Sequence, residues 1–149
     1  MENFQHILLK KRMKNRKRLL ICILVFGMGF LWGSFLVSSL VIRNSVRERC
    51  EVVLNQYEGD CVEALIQVVD GEMNSYSERN RAIWALGQMG DDGEGRAIDV
   101  IEKYYTGEIP EREPYNGGLS QHEMKKALKL LNGGWNITHL IWNPLKLEY

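Results

Sequence analysis

Three prolines, three histidines and three cysteines are all that 149 residues hold of these types. The first proline is Pro110, so nothing before it forbids long helices. The histidines (His6, His122 and His139) are scattered. Neither His-Glu-x-x-His nor Cys-x-x-Cys occurs, which leaves a zinc site without support. A Gly-rich phosphate loop and a Gly-x-Ser-x-Gly elbow are missing as well. The acidic run 91–94 lacks EF-hand spacing and reads as helix capping rather than a Ca²⁺ loop. Glu111 and Glu113, beside Arg112, read as a solvated loop face, because a carboxylate pair tuned for acid–base work needs burial. The expectation is a chain without metal or cofactor, and not an enzyme.

A longer gap is one of charge. Residues 19–42 carry no ionisable acid or base, although 26% of the chain is charged and 45% hydrophobic. The zero formal charge is therefore split in two. Residues 1–18 hold seven cations against Glu2, a balance of +6, and everything after residue 42 holds twelve cations against eighteen anions, a balance of −6. Disorder is excluded as the dominant state, since Leu, Ile, Val, Trp and Tyr are plentiful. The length suits one ordinary domain with an appendage.

As a helix the uncharged stretch would be about 36 Å long, against a hydrocarbon core of about 30 Å. A helix satisfies its own backbone groups, which lipid cannot do. The basic segment before it (Lys10, Lys11, Arg12, Lys14, Arg16, Lys17 and Arg18) predicts a cytoplasmic N-terminus and an outward-facing C-terminal region. Each of those cations adds about 1 kcal/mol of attraction to anionic lipid near the surface. With no fold around them, they predict no nucleic-acid binding. A cleaved secretory signal is the rival reading, with small residues at Ser38 and Ser39, but the stretch exceeds the usual signal core. Gly29 and Gly33, continued by Ser34 and Ser38, have the spacing of a helix–helix dimer face; lipid-facing filler is the plain alternative.

Beyond residue 42 the apolar positions recur at helical spacing. A first helix is predicted over 45–57. A second follows Asp60 as N-cap, burying Val62, Leu65, Ile66 and Val69. Ser75 and Glu78 form a capping box for a third, with Ala82, Ile83, Leu86 and Met89 inward and a stop at Gly90. A fourth is predicted over 94–105, with Ala97, Ile98, Ile101 and Tyr104 inward. Ser120 caps a fifth, with Met124, Ala127, Leu128 and Leu131 inward, ended by Gly133 and Gly134.

The pattern has an internal echo. The stretch from Cys61 through Glu72 aligns with that from Ala97 through Glu108 at an offset of 36, and Ala85-Leu86 aligns with Ala127-Leu128 at 42. Periods of this size mark helix pairs that bury their faces only by stacking on neighbours. The run Arg81-Ala82-Ile83-Trp84-Ala85-Leu86-Gly87-Gln88-Met89-Gly90-Asp91, followed by Ala97-Ile98, resembles a HEAT-like repeat of the short type found in phycobilisome-lyase relatives. The resemblance implies an α-solenoid fragment used for protein contacts. It also implies that Gly87 admits the neighbouring helix and that Asp91 or Asp92 caps the next one. The turn after Gly90 is longer than that family requires.

Cys22 lies in the apolar stretch and reads as a small apolar residue. Cys50 and Cys61 fall where oxidation is permitted if the topology holds. A helix reaching Tyr57 would put Cys50 about 10 Å from its end, whereas a disulfide tolerates Cα separations of about 7 Å. Either that helix ends early or the thiols stay apart. Trp84 lies off the inward stripe, as a partner anchor or as packing against the next repeat. The aromatic tail, with Trp135 and Trp142, would cap the helix stack, dock a partner or return to the membrane surface. Asn136-Ile137-Thr138 is a glycosylation sequon, meaningful in a eukaryotic host.

The sequence thus predicts an all-α chain: a basic cytoplasmic segment (1–18), one transmembrane helix (19–42), a HEAT-like domain of about five helices (43–134) and an aromatic tail (135–149). Its expected role is a non-enzymatic interaction module in the bacterial inner membrane, with another protein as partner and a homodimer through the membrane helix as a further contact. An accessory, lyase-like or chaperone-type domain is the alternative implied by the resemblance.

Overall fold

A computed structural model describes residues 2–90, 95–113 and 117–136, without the side chains of residues 2–15 and of Lys17. Among the described residues five helices account for the regular structure: α1 Glu2–Leu54, α2 Cys61–Asp70, α3 Tyr76–Met89, α4 Arg96–Tyr104 and α5 Gln121–Leu131. No strand occurs among the described residues. The chain divides into two compact units, Met1–Ser38 and Ser39–Tyr149.

The first unit is helical. From residue 19 to residue 32 every large apolar side chain is more than half exposed, Phe26 and Phe30 by 79% and 76%. Its most apolar 18-residue window has a mean hydropathy of 2.4, with none of it buried inside the protein. A soluble core helix would bury one face, so this stretch has the length and composition of a membrane span or a signal sequence.

In the second unit, α1 contributes the face formed by Ser39, Val46, Cys50 and Val53, all buried. Arg47 and Glu51 pair on its outer side at 2.8 Å. The helix predicted over 45–57 is the final part of α1, and it stops at Leu54. The stop is local: Gln56 and Tyr57 both donate their N–H to the Val53 carbonyl, and the Asn55 side chain donates to that of Glu51. Asp60 then caps α2, its carboxylate accepting the Glu63 N–H at 2.7 Å.

Helices α2 and α3 form one hairpin and α4 and α5 a second. The capping box at α3 is complete: Ser75 accepts from the Glu78 N–H, and Glu78 accepts from the Ser75 N–H. Ser120 caps α5 with the first half of that pattern, its hydroxyl accepting from the Glu123 N–H. The fourth helix differs from expectation, because its N-cap is Gly95 in a left-handed conformation (φ 73°) with no side-chain cap bond. Asp91 and Asp92 lie outside the described residues.

The hairpins lie side by side in the same sense. Arg96, at the start of α4, pairs with Asp60 at 3.0 Å and Glu63 at 3.3 Å, at the start of α2. Lys103, near the end of α4, pairs with Asp70 at the end of α2 at 2.8 Å. Two such pairs, start to start and end to end, make α2 and α4 parallel. Helix α3 is likewise parallel to α5, with Asn80 bonded beside Ser120 and Gly87 seated against Ala127 about two turns further on in both. Leu65, Ile83, Leu86, Ile101 and Met124, one or more from each of these four helices, are fully buried at the centre.

The predicted inward stripes of α3 and α5 are all buried. Helix α2 is buried more widely than one stripe, adding Cys61, Ala64 and Val68, while Ile66 is only half-buried. In α4 the buried face is rotated toward Val100, leaving Ile98 and Tyr104 half-buried.

Candidate interaction groove between α3 and α5

Three positions one helical turn apart on α3 (Asn80, Trp84 and Gly87) face α5 across a groove of about 890 Å³. Its depth is set by a close approach. A β-carbon on Gly87 would meet Ala127 on α5, so the two backbones come as near as glycine allows. Trp84 stands one turn before this contact, half-buried, with one side against the hydrophobic core and the other forming a wall of the groove. Leu130 of α5 and Leu119 before it extend the apolar lining.

One end is closed by hydrogen bonds around Asn80. Its amide donates to the Gly118 carbonyl at 3.1 Å and accepts the Ser120 N–H at 2.8 Å, which ties the loop before α5 to α3. Glu113 completes the closure, accepting from the Ser120 hydroxyl and from the His122 N–H. It is therefore part of the α5 N-terminus and not a solvated loop face. Burial pushes its carboxyl up, but those hydrogen bonds outweigh it and hold the group below its ordinary range. A carboxylate in that place also matches the positive end of the helix dipole.

At the other end the chain reverses. Gly133 adopts φ 78°, and the Gly134 N–H donates to the Lys129 carbonyl at 2.8 Å. That six-residue bond is the Schellman pattern, in which glycine supplies the left-handed step. A β-carbon on Gly134 would collide with the same carbonyl oxygen. The reversal brings Trp135 back to the groove, where its side chain is 83% exposed. Arg81 and Lys129 supply positive charge along the rim, and Lys126 is paired with Glu123 at 2.9 Å.

Trp84 and Trp135, 51 residues apart in sequence, therefore border one cavity. Trp142, the third tryptophan predicted for partner contact, lies outside the described residues, as do His139 and most of the sequon. Gly29 and Gly33 have nothing within 4 Å of where a β-carbon would stand, so that face of the apolar helix is open. Cys50 and Cys61 are joined in a disulfide with a Cα separation of 5.2 Å. Of the two alternatives drawn from spacing, the early end of α1 holds, because α2 starts beside the last turn of α1. The Cys61 sulfur also lies 3.8 Å from that of Met89.

Two polar clusters were not foreseen. The Arg79 guanidinium is buried, donates to the Val69 carbonyl at 2.7 Å and lies over the rings of Tyr76 and Tyr104. Asp70 accepts from the Tyr104 hydroxyl at 2.7 Å as well as from Lys103. The first cluster knits α2, α3 and α4 together, and the second ties α2 to α4. Among the described residues, no three His, Cys, Asp or Glu side chains are grouped to hold a metal ion. No protein-family model, curated protein or solved structure matches the chain.

Proposed function

We propose that this chain is a single-pass, membrane-anchored interaction module, carrying a short HEAT-like helical domain on the outer face of a bacterial inner membrane and binding another protein without catalysis. The observation that carries the reading is the convergence of Trp84 and Trp135 on one groove. Tryptophans flanked by cations are the side chains that dominate protein interfaces. The groove fits an extended or helical segment with aliphatic or aromatic side chains and a carboxylate for Arg81 or Lys129.

Three further features support it. Parallel stacking of two hairpins, with a glycine seated on the next repeat, agrees with a HEAT-like arrangement. A disulfide closed over buried sulfurs persists in oxidising compartments, which favours the outward orientation. Among the described residues, the carboxylates with displaced pKa values (Asp60, Asp70, Glu78 and Glu113) are displaced downward by capping or ion pairing. A general acid would be displaced upward.

Crosslinked native membranes test the binding reading, with the tagged full chain compared with its Trp84→Ala and Trp135→Ala variants. A protein whose recovery falls tenfold or more in either variant is the expected outcome. Recovery that ignores both substitutions, or no recovered protein, counts against it. An impermeant protease applied to intact spheroplasts tests the orientation: digestion of the helical domain is expected, and protection refutes it.

A further inference from the structure

The charges around the α3/α5 groove are unequal. Of the charged side chains among the described residues that line it, the two anions are both already engaged. Glu113 accepts from the Ser120 hydroxyl and the His122 N–H, and Glu123 is paired with Lys126. That leaves Arg81 and Lys129, both exposed and without a salt-bridge partner, on a region whose overall balance is −6. Screening makes the local balance decisive, because at physiological ionic strength the field of the remaining surface falls off over about 8 Å. The two cations also stand at opposite ends of the apolar wall. Asn80 is level with Ser120, and Gly87 with Ala127. Arg81 is one residue beyond Asn80 and Lys129 two beyond Ala127, which sets them about 12 Å apart along the groove. Trp84 falls between them, and Trp135 follows the reversal at the Lys129 end.

We infer that the groove takes an acidic segment of the partner protein, with one carboxylate for Arg81, a second about 12 Å away for Lys129, and an apolar side chain between them against Trp84. The inference rests on the binding role proposed above and names the chemistry of the partner. In sequence, that separation corresponds to carboxylates about seven or eight residues apart in a helical segment and about four apart in an extended one. A guanidinium takes a carboxylate through two parallel N–H donors, and the low dielectric beside two indole rings strengthens such a pair. A basic segment meets like charge there. An uncharged apolar segment, or a lipid chain, covers both cations without pairing them. The same two side chains therefore attract one class of partner and reject the others.

The test uses the tagged full chain in native membranes with Leu130→benzoylphenylalanine, a photocrosslinker in the groove wall. Irradiation followed by peptide mapping is expected to give a segment of another protein with two Asp or Glu at one of those spacings, bracketing an aliphatic or aromatic residue. A mapped segment that is basic, uncharged or acidic only at other spacings overturns the inference, as do crosslinks to lipid or to a second copy alone. Charge reversal is a second measurement that does not depend on the crosslinker. Arg81→Glu and Lys129→Glu, both at exposed positions, should each lower recovery of the partner at least tenfold. Replacing the facing carboxylate of the partner by lysine should restore recovery with Arg81→Glu, which a merely misfolded variant would not allow. Recovery that either reversal leaves unchanged overturns the inference. The two readings separate in the same membranes. Recovery that depends on Trp84 and ignores both reversals leaves the binding role standing and this inference refuted. Recovery that ignores Trp84, Trp135 and both reversals refutes the binding role itself.

Discussion

The α-carbon of Gly87 faces Ala127 so closely that a β-carbon there would lie 2.7 Å from both the Cα and the Cβ of Ala127. A flexible side chain could swing away, but a backbone atom of α5 cannot. Gly87→Ala gains about 1 kcal/mol of helix propensity and incurs about 1–3 kcal/mol of overpacking. Net destabilisation is expected, read as a lower midpoint in urea unfolding of the full chain in detergent. Ala127→Gly should restore only part of it, because the clash with the Ala127 Cα persists. A Gly87→Ala variant as stable as the original, with an undisturbed groove, would mean the two helices are not seated as described.

Reduction offers a second test. The bridge between Cys50 and Cys61 closes a loop with a sequence separation of 11, for which chain entropy gives about 3 kcal/mol of stabilisation. Replacing both cysteines by serine should lower the unfolding midpoint accordingly. Because Cys50 and Cys61 are 0% and 4% exposed, a Cys22→Ser chain, which lacks the one free and exposed thiol among the described residues, should resist mild reductant and show thiol labelling only with denaturant. Labelling without denaturant would contradict the burial.

Arg79 is the buried charge on which three helices converge. Arg79→Leu keeps the apolar stem but removes the donor to the Val69 carbonyl, on a residue that is fully buried. An unpaired buried carbonyl costs about 1–3 kcal/mol, and a drop of that size in unfolding free energy is expected. Arg79→Lys should recover little, since an ammonium lacks the planar fork that both donates and lies over Tyr76 and Tyr104. Equal stability of the Leu and wild-type chains would show the bond to be incidental.

What was legible in the sequence was local. Ser75 with Glu78, Asp60 and Ser120 announce helix starts because a capping side chain and the backbone N–H it accepts from lie within three residues. The stripes of α3 and α5 follow from a single period. Features that depend on distant partners were not legible. Arg79 falls on the inward face of α3, where a cation is read as a solvated exception until the Val69 carbonyl is placed beneath it. Glu113 sits seven residues before Ser120, with no periodic relation to the helix whose N-terminus it joins. The end of α1 was missed by three residues, as Asn55 and the Val53 carbonyl settle it through turn geometry that propensity does not encode. The groove was half visible: Trp84 and Trp135 stood out singly, but their meeting depends on the Gly133–Gly134 reversal and on the parallel course of α3 and α5.

Acid and alkali should act on the same clamp from opposite sides. For Asp70, burial pushes the carboxyl up, but the hydrogen bonds from Lys103 and Tyr104 prevail and leave it below its ordinary 3.8. Its contribution to stability is therefore complete above that ordinary value and is lost as pH falls through the lowered native one. For Lys103, the hydrogen bond to Asp70 raises the ammonium above its ordinary 10.5, so its contribution is complete below that value and lost as pH rises through the raised one. Asp60, Glu78 and Glu113 shift in the same direction as Asp70 and steepen the acid side. The melting temperature should thus fall below about pH 4 and again above about pH 10.5, in keeping with ordinary carboxyl and ammonium values. Added salt should blunt both effects, because the pairs are half-exposed and screened. Asp70→Asn discriminates between this clamp and general acid unfolding, since it removes one charge that both limbs share. The variant should be less stable near neutrality and show a shallower acid limb and a shallower alkaline limb together. If its pH profile is merely displaced downward, with both slopes kept, the pairing of Lys103 with Asp70 contributes nothing to holding α2 against α4.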